Sequence, residues 1–280
     1  MRLRECSVHS MEDEIDVRRT GYSLLLLPLA AVAAMAAEPN VNPEEIIRKF
    51  AAKEAEFAKA REQYTYRQTV RIQELGAGGR VVGKFELVSD IVFEADRKRT
   101  EKVVYAPVST LRNILLTPED EQDLRNVQPF VLTTAEIDQY DIRYLGKQNA
   151  DQIPCYLFAV KPKQMEKGKR YFEGQIWVDD RDLQIVKTYG KGVGIIKKGQ
   201  DNQFPRFETY REQIDGQYWF PTYTIANDVL QFQTGPQPIK MTVKYEQYKR
   251  FGADVNIKFG EVVDEGKTGE QQNESPESKK

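Results

Sequence analysis

Hydrophobic and polar positions change period once, early in the chain. Over residues 43–62, Ile46, Ile47, Phe50, Ala51, Phe57 and Ala58 recur at helical spacing, a partial stripe broken at Glu54. Asn42 suits the cap, Pro43 the first helical position, and Glu44 and Glu45 the positive end of the dipole. The spacing predicts a helix lying on something apolar. The period then drops to two. Tyr64, Tyr66, Val70 and Ile72 alternate with Thr65, Arg67, Thr69, Arg71 and Gln73, the signature of a half-buried strand. After the turn Gly76-Ala77-Gly78-Gly79, Phe85, Leu87, Ile91 and Phe93 alternate with Lys84, Glu86, Asp90 and Glu94. A turn over 96–99 leads to a strand over 100–105, completing a meander.

The middle is less regular. Pro118 after Thr117 reads as a helix start running to Val127, with Pro129 ending it, and 133–136 as a short turn. Strands resume over 140–147, 155–161, 171–178, 183–189, 207–214, 218–225 and 239–251, with a further short one over 255–259. The count is about ten or eleven strands. The predicted class is mainly β with a few helices (α+β): a strongly curved antiparallel sheet or incomplete β-barrel covered by helices.

The ends read differently. Arg18 and Arg19 precede an apolar run over 24–34, and Ala34-Met35-Ala36 has the small-x-small form of a cleavage site. This predicts a secretory signal peptide over 1–36, cut after Ala36, because the run is shorter than the roughly 20 residues that span a bilayer. Glu12, Asp13, Glu14 and Asp16 are out of place in a basic leader, so 1–16 reads as a misassigned start. The domain then occupies 37–259. The tail 260–280 has no large apolar residue after Val263 and is expected to be disordered.

Export changes the chemistry on offer. His9, the only histidine, and Cys6 leave with the leader, so Cys155 stands alone. Internal disulfides, Cys/His zinc sites and Ser-His-Asp or Cys-His catalysis are thereby excluded from the exported part. It keeps 37 basic and 38 acidic residues, a balance that does not suit nucleic acid. No cofactor, metal or enzymatic role is expected. Paired carboxylates for glycoside hydrolysis are a remote alternative.

Three motifs have plainer readings. Asp179-Asp180-Arg181-Asp182 offers oxygens to a hard cation, but Asp is also an ordinary turn residue. Gly190-Lys191-Gly192-Val193-Gly194 hints at a phosphate loop but lacks the helix that must follow, so it reads as a surface loop. Its Lys191, with Lys197 and Lys198, is available to anionic headgroups. Cys155 reads as a small buried hydrophobe.

The stretch Tyr171-Phe172-Glu173-Gly174-Gln175-Ile176-Trp177-Val178-Asp179, followed by Leu183-Gln184-Ile185-Val186-Lys187, resembles a hairpin of the LolA-like superfamily. Phe207-Glu208-Thr209-Tyr210 and Tyr218-Trp219-Phe220-Pro221 resemble its closing strands. The likeness runs from Asn42 to Phe259, outside 106–140 and 190–206. It implies a periplasmic protein of the group that carries or sorts outer-membrane lipoproteins. Acyl chains of a lipid or lipoprotein would lie in a concave apolar cavity, loaded or received by a membrane-bound partner. A regulatory or interaction module of the envelope is the alternative on the same fold. Tyr64, Tyr66, Val70, Ile72, Phe85, Leu87, Ile91, Phe93, Trp177 and Phe232 are the candidate lining, against the plainer reading that they are core.

Overall fold

The computed structural model describes residues 42–94, 98–195 and 204–251. The expected leader, the strand over 255–259, the tail, and the 96–97 and 197–198 segments lie outside the described residues.

Helix α1 (Pro43–Arg61) starts as its sequence dictates, with the Asn42 side chain accepting the Glu45 N–H. Among the described residues ten strands follow: β1 (Tyr64–Leu75), β2 (Val81–Phe93), β3 (Arg99–Tyr105), β4 (Tyr140–Ala150), β5 (Ile153–Pro162), β6 (Tyr171–Asp179), β7 (Ile185–Val193), β8 (Phe207–Ile214), β9 (Tyr218–Phe232) and β10 (Gly235–Arg250). They form one antiparallel sheet in the order β3-β2-β1-β10-β9-β8-β7-β6-β5-β4. The first meander and the β4–β10 meander join where β10 pairs with β1, and β3 and β4 are left as edges. The sheet is therefore open. Among the described residues no helix is long and apolar enough to cross a membrane.

Turn chemistry sets the register of several hairpins. At the β8–β9 turn Asp215 and Gly216 both have positive φ, a conformation that Asp tolerates and Gly adopts freely, and residues 215–217 close the hairpin with Ile214 opposite Tyr218. At the β6–β7 turn the Asp179 carboxylate accepts the N–H groups of Arg181 and Asp182, at 2.6 and 3.1 Å. Asp182 accepts from the Trp219 indole and from Gln213. These carboxylates are thus engaged as turn and cross-strand acceptors.

Two strands run further than their alternation suggested. β9 continues to Phe232, and β7 continues through Gly190-Lys191-Gly192-Val193, which corrects the surface-loop reading. The reason is steric. Gly190 pairs with Gly174, and a Cβ on Gly190 would stand 2.7 Å from the Phe172 ring. At Gly192 a Cβ would fall on the Asp123 carboxylate and 2.7 Å from Arg170 Nη2. The glycines share one face because strand side chains alternate, and that face is kept bare for these groups to close over it. Replacing Gly192 with Ala should cost about 1–3 kcal/mol, the usual range for overpacking. Urea denaturation would read this; an unchanged midpoint would mean that the Asp123–Arg170 pair moves aside freely.

One face of the sheet holds the main core, which joins Phe50 and Ala51 of α1 to Val70, Ile72, Phe158, Phe172, Ile176, Met241 and Val243. The helix meets the sheet through Phe50 on Phe158, ring centroids 5.5 Å apart, and Phe57 edge-on to Phe220 at 5.0 Å. Burying such a side chain contributes about 1.5–3 kcal/mol. Glu54, the residue that breaks the apolar stripe, is fully buried: its carboxylate accepts the Ile185 N–H at 3.0 Å and faces the Arg211 guanidinium at 3.2 Å. Arg211 also donates to the Phe130 carbonyl. A smaller cluster of Ala150, Cys155, Leu157, Trp177 and Val186 lies apart. Cys155 is buried there, and burial pushes its thiol up to about 11.

Candidate functional site

Between β3 and β4 the chain crosses the core face as a strap. Residues 106–117 have no regular structure. They lead into α2 (Pro118–Gln122), a π turn (Asp123–Val127), and Phe130 and Leu132, which join the main core. The start of α2 is set locally, because Thr117 and Asp120 cap each other's backbone N–H groups reciprocally.

Both ends of the strap are tied to the sheet by buried charge. Glu74, at the end of β1, accepts N–H groups from Arg112 at 2.9 Å, Asn113 at 2.7 Å and Ile114 at 2.8 Å. Its cross-strand partner is Gly83, where a Cβ would stand 2.8 Å from the Thr110 carbonyl. Asn113 also donates to Gln237 at 2.7 Å. At the far end Arg170 holds Asp123 through two parallel bonds of 2.8 Å and stacks on Phe204 at 3.5 Å. Burial raises the Asp123 carboxyl above its ordinary value, and Arg170 opposes that rise. A Glu74→Gln variant exchanges one acceptor oxygen for a donor facing N–H groups. Amide exchange at Arg112, Asn113 and Ile114 should then speed by about tenfold, one unsatisfied hydrogen bond's worth. Unchanged protection would mean that the strap is held elsewhere.

Two adjoining cavities lie beneath and beside this strap, sharing Leu116, Asp120 and Leu124. The larger, about 480 Å³, is walled by Gln68 and Val70 of β1, Phe85 and Leu87 of β2, and Val103 of β3. It falls within the roughly 300–1,000 Å³ of ordinary ligand pockets. The smaller, about 60 Å³, lies among Ile72, Phe207, Leu230, Phe232, Ile239 and Met241. Charged side chains border both cavities: Asp120 and Asp123 line the smaller, and in the larger wall Glu101 lies 3.5 Å from Arg99 and 3.8 Å from Arg125, which also pairs with Glu121 at 3.2 Å. An arrangement of apolar wall and charged border can hold an amphiphile by its chain.

The ten candidate residues divide among these places. Val70, Phe85 and Leu87 wall the larger cavity, and Ile72 and Phe232 the smaller. Tyr66 packs half-buried against the main core, and Ile91, its cross-strand partner, is fully buried. Phe93 is half-buried at the end of β2. Tyr64 packs with Phe57 and Phe220 and donates to Asp215 at 2.9 Å. Trp177 is a correction. It lies between Ile176 and Val178 of the main core and so points to the other face, into the smaller cluster under Lys187. Leu116, Leu124 and Val103 were not anticipated. Glu74 had a readable signal, a charge in register with the inward positions Val70 and Ile72.

No protein-family model matches the sequence, and no curated protein matches it. Among solved structures the chain is similar to a DUF1329 family protein from Desulfovibrio piger, at 18% identity over 78% of this chain and 95% of that one, with a TM-score of 0.41. It is also similar to a LolA superfamily protein from Nitrosomonas europaea, at 13% identity over 76% and 94% of the two chains and a TM-score of 0.35. A third is a protein domain from Vibrio parahaemolyticus described as outer membrane lipoprotein-sorting, at 13% identity over 77% and 96%, also with a TM-score of 0.35. No residue role or ligand is taken from these structures.

Proposed function

We propose that the protein binds acyl chains of a lipid or lipoprotein in the space between the strap and strands β1, β2 and β3, and acts in sorting or carrying outer-membrane lipoproteins in the periplasm. The observation that carries this reading is the cavity of about 480 Å³ walled by Val70, Phe85, Leu87, Val103, Leu116 and Leu124. Each buried methylene contributes about 0.8 kcal/mol, so such a wall supplies affinity without a dedicated polar partner. No bond need be made or broken, and the role proposed is non-enzymatic. The curved, helix-covered sheet belongs to the same reading, with α1 packed on the core face and the strap closing the side toward β3. The leader expected over 1–36 would direct export and belongs to the same reading.

Native mass spectrometry of protein purified gently from its host tests this. The expected spectrum holds the bare chain together with adducts of lipid mass, lost when Leu87→Trp narrows the cavity. A spectrum of bare chain alone, unchanged after incubation with phospholipid, would overturn the proposal and leave the interaction-module reading.

A further inference from the structure

The sheet face away from α1 carries another concavity, of about 460 Å³, across β4, β5, β6 and β7. Its floor is one register row, because Arg143, Ala159, Gln175 and Tyr189 are successive cross-strand partners. In the next row Lys161 stands opposite Asp141, and Lys191 opposite Glu173. Arg143 faces only Ala159, and Arg206 joins the wall just ahead of β8. The lining therefore holds four cations and two acids, with the arginines in surplus.

Elsewhere on this outer face several cations are matched. Arg67 grips Asp90 at 2.7 and 3.0 Å, Arg71 meets Glu86 at 2.7 Å, and Lys187 meets Glu208 at 2.7 Å. Among the described residues, Arg143, Lys161, Lys191 and Arg206 make no such pair. The positive field of this groove is left for something outside the chain.

Its geometry and composition narrow the class. Strands lie about 4.8 Å apart, so β4 to the start of β8 spans roughly 19 Å, too far for a single anion to bridge. The ligand must be a chain with anionic groups repeated along it. The carboxylates of Asp141 and Glu173 would repel a bare polyanion but accept hydrogen bonds from hydroxyl groups. Tyr189, 40% exposed, offers a ring face with a polar tip. A bilayer fits less well, because among the lining residues Tyr189 is the one exposed large apolar side chain, and Val160 is buried in the core. We propose that the groove binds an anionic polysaccharide, with Arg143 and Arg206 taking its charged groups, the acids and Gln175 its hydroxyls, and Tyr189 the face of a sugar ring. This is independent of the acyl cavity.

Fluorescence anisotropy with a labelled heparin-derived octasaccharide tests it on the purified protein. Saturable binding is expected, weakened by salt. It should fall about tenfold in the double variant Arg143→Gln, Arg206→Gln, and severalfold in Tyr189→Ala. Arg67→Gln, taken from the paired patch, should bind as wild type, and neutral maltooctaose should not bind. These side chains are solvent-facing, so matched melting curves are expected for all variants. A double variant that binds as wild type would overturn the proposal. So would polyphosphate binding as tightly as the octasaccharide with Tyr189→Ala without effect, or binding confined to phosphatidylglycerol vesicles.

Discussion

Arg211→Ala should destabilise the protein by about 3–5 kcal/mol at neutral pH, because it strands a buried carboxylate without its counter-charge. Glu54 and Arg211 are both removed from water, and the pair fastens α1 to β7 and β8 while Arg211 holds the Phe130 carbonyl. Burial raises the Glu54 carboxyl above its usual range, opposed first by the Arg211 charge and then by the Ile185 N–H. Without Arg211 it rises further. A carboxyl whose folded value exceeds its unfolded one is protonated more readily in the folded chain, so the penalty of the bare charge is present above the folded value and is relieved as pH falls through it. Urea denaturation should therefore show a larger loss at pH 7 than at pH 5, and adding Glu54→Gln should recover part of the pH 7 loss. An equal loss at both pH values would assign the effect to packing against Phe57, over whose ring the guanidinium lies at 5.2 Å.

Phe85→Glu should abolish acyl-chain binding, at least about a hundredfold, while unfolding stays cooperative. The side chain is half-buried in the wall of the larger cavity, where it meets open space on one side. A carboxylate there remains hydrated in the empty protein but must lose its water when a chain covers it, at a cost of several kcal/mol. Val81→Glu, at an exposed position on the same strand, should leave binding unchanged. Competition titration and thermal melts read both. Global unfolding of Phe85→Glu would make Phe85 ordinary core.

The helix and strands were legible because burial on one face imposes a period, and β1, β2 and α1 show it plainly. The strap was not, since 106–117 follows no period and is held by buried carboxylates rather than by its own propensity. Some of the buried charges could be found by parity. Glu74 follows Val70 and Ile72 on the inward positions of β1, Arg211 follows Phe207 and Thr209 on β8, and Glu54 interrupts the helix stripe. A charge on a buried face announces a partner without naming it. Gly190 and Gly192 misled because glycine-rich sequence usually marks a loop, whereas here the bare face is needed by Phe172 and by the Asp123–Arg170 pair. Trp177 misled for another reason. Both faces are covered around β6, so Ile176, Trp177 and Val178 are all buried, and apolarity alone does not say which of them share a face.

The cavity beneath the strap is most directly tested by titrating the protein with an environment-sensitive fatty-acyl probe and competing it with a lipopeptide. Saturable fluorescence enhancement, reversed by the lipopeptide, is the expected result and would establish an acyl-accepting space. A flat titration at probe concentrations that saturate ordinary lipid carriers would contradict it and leave Val70, Phe85 and Leu87 as the wall of a space that takes no lipid.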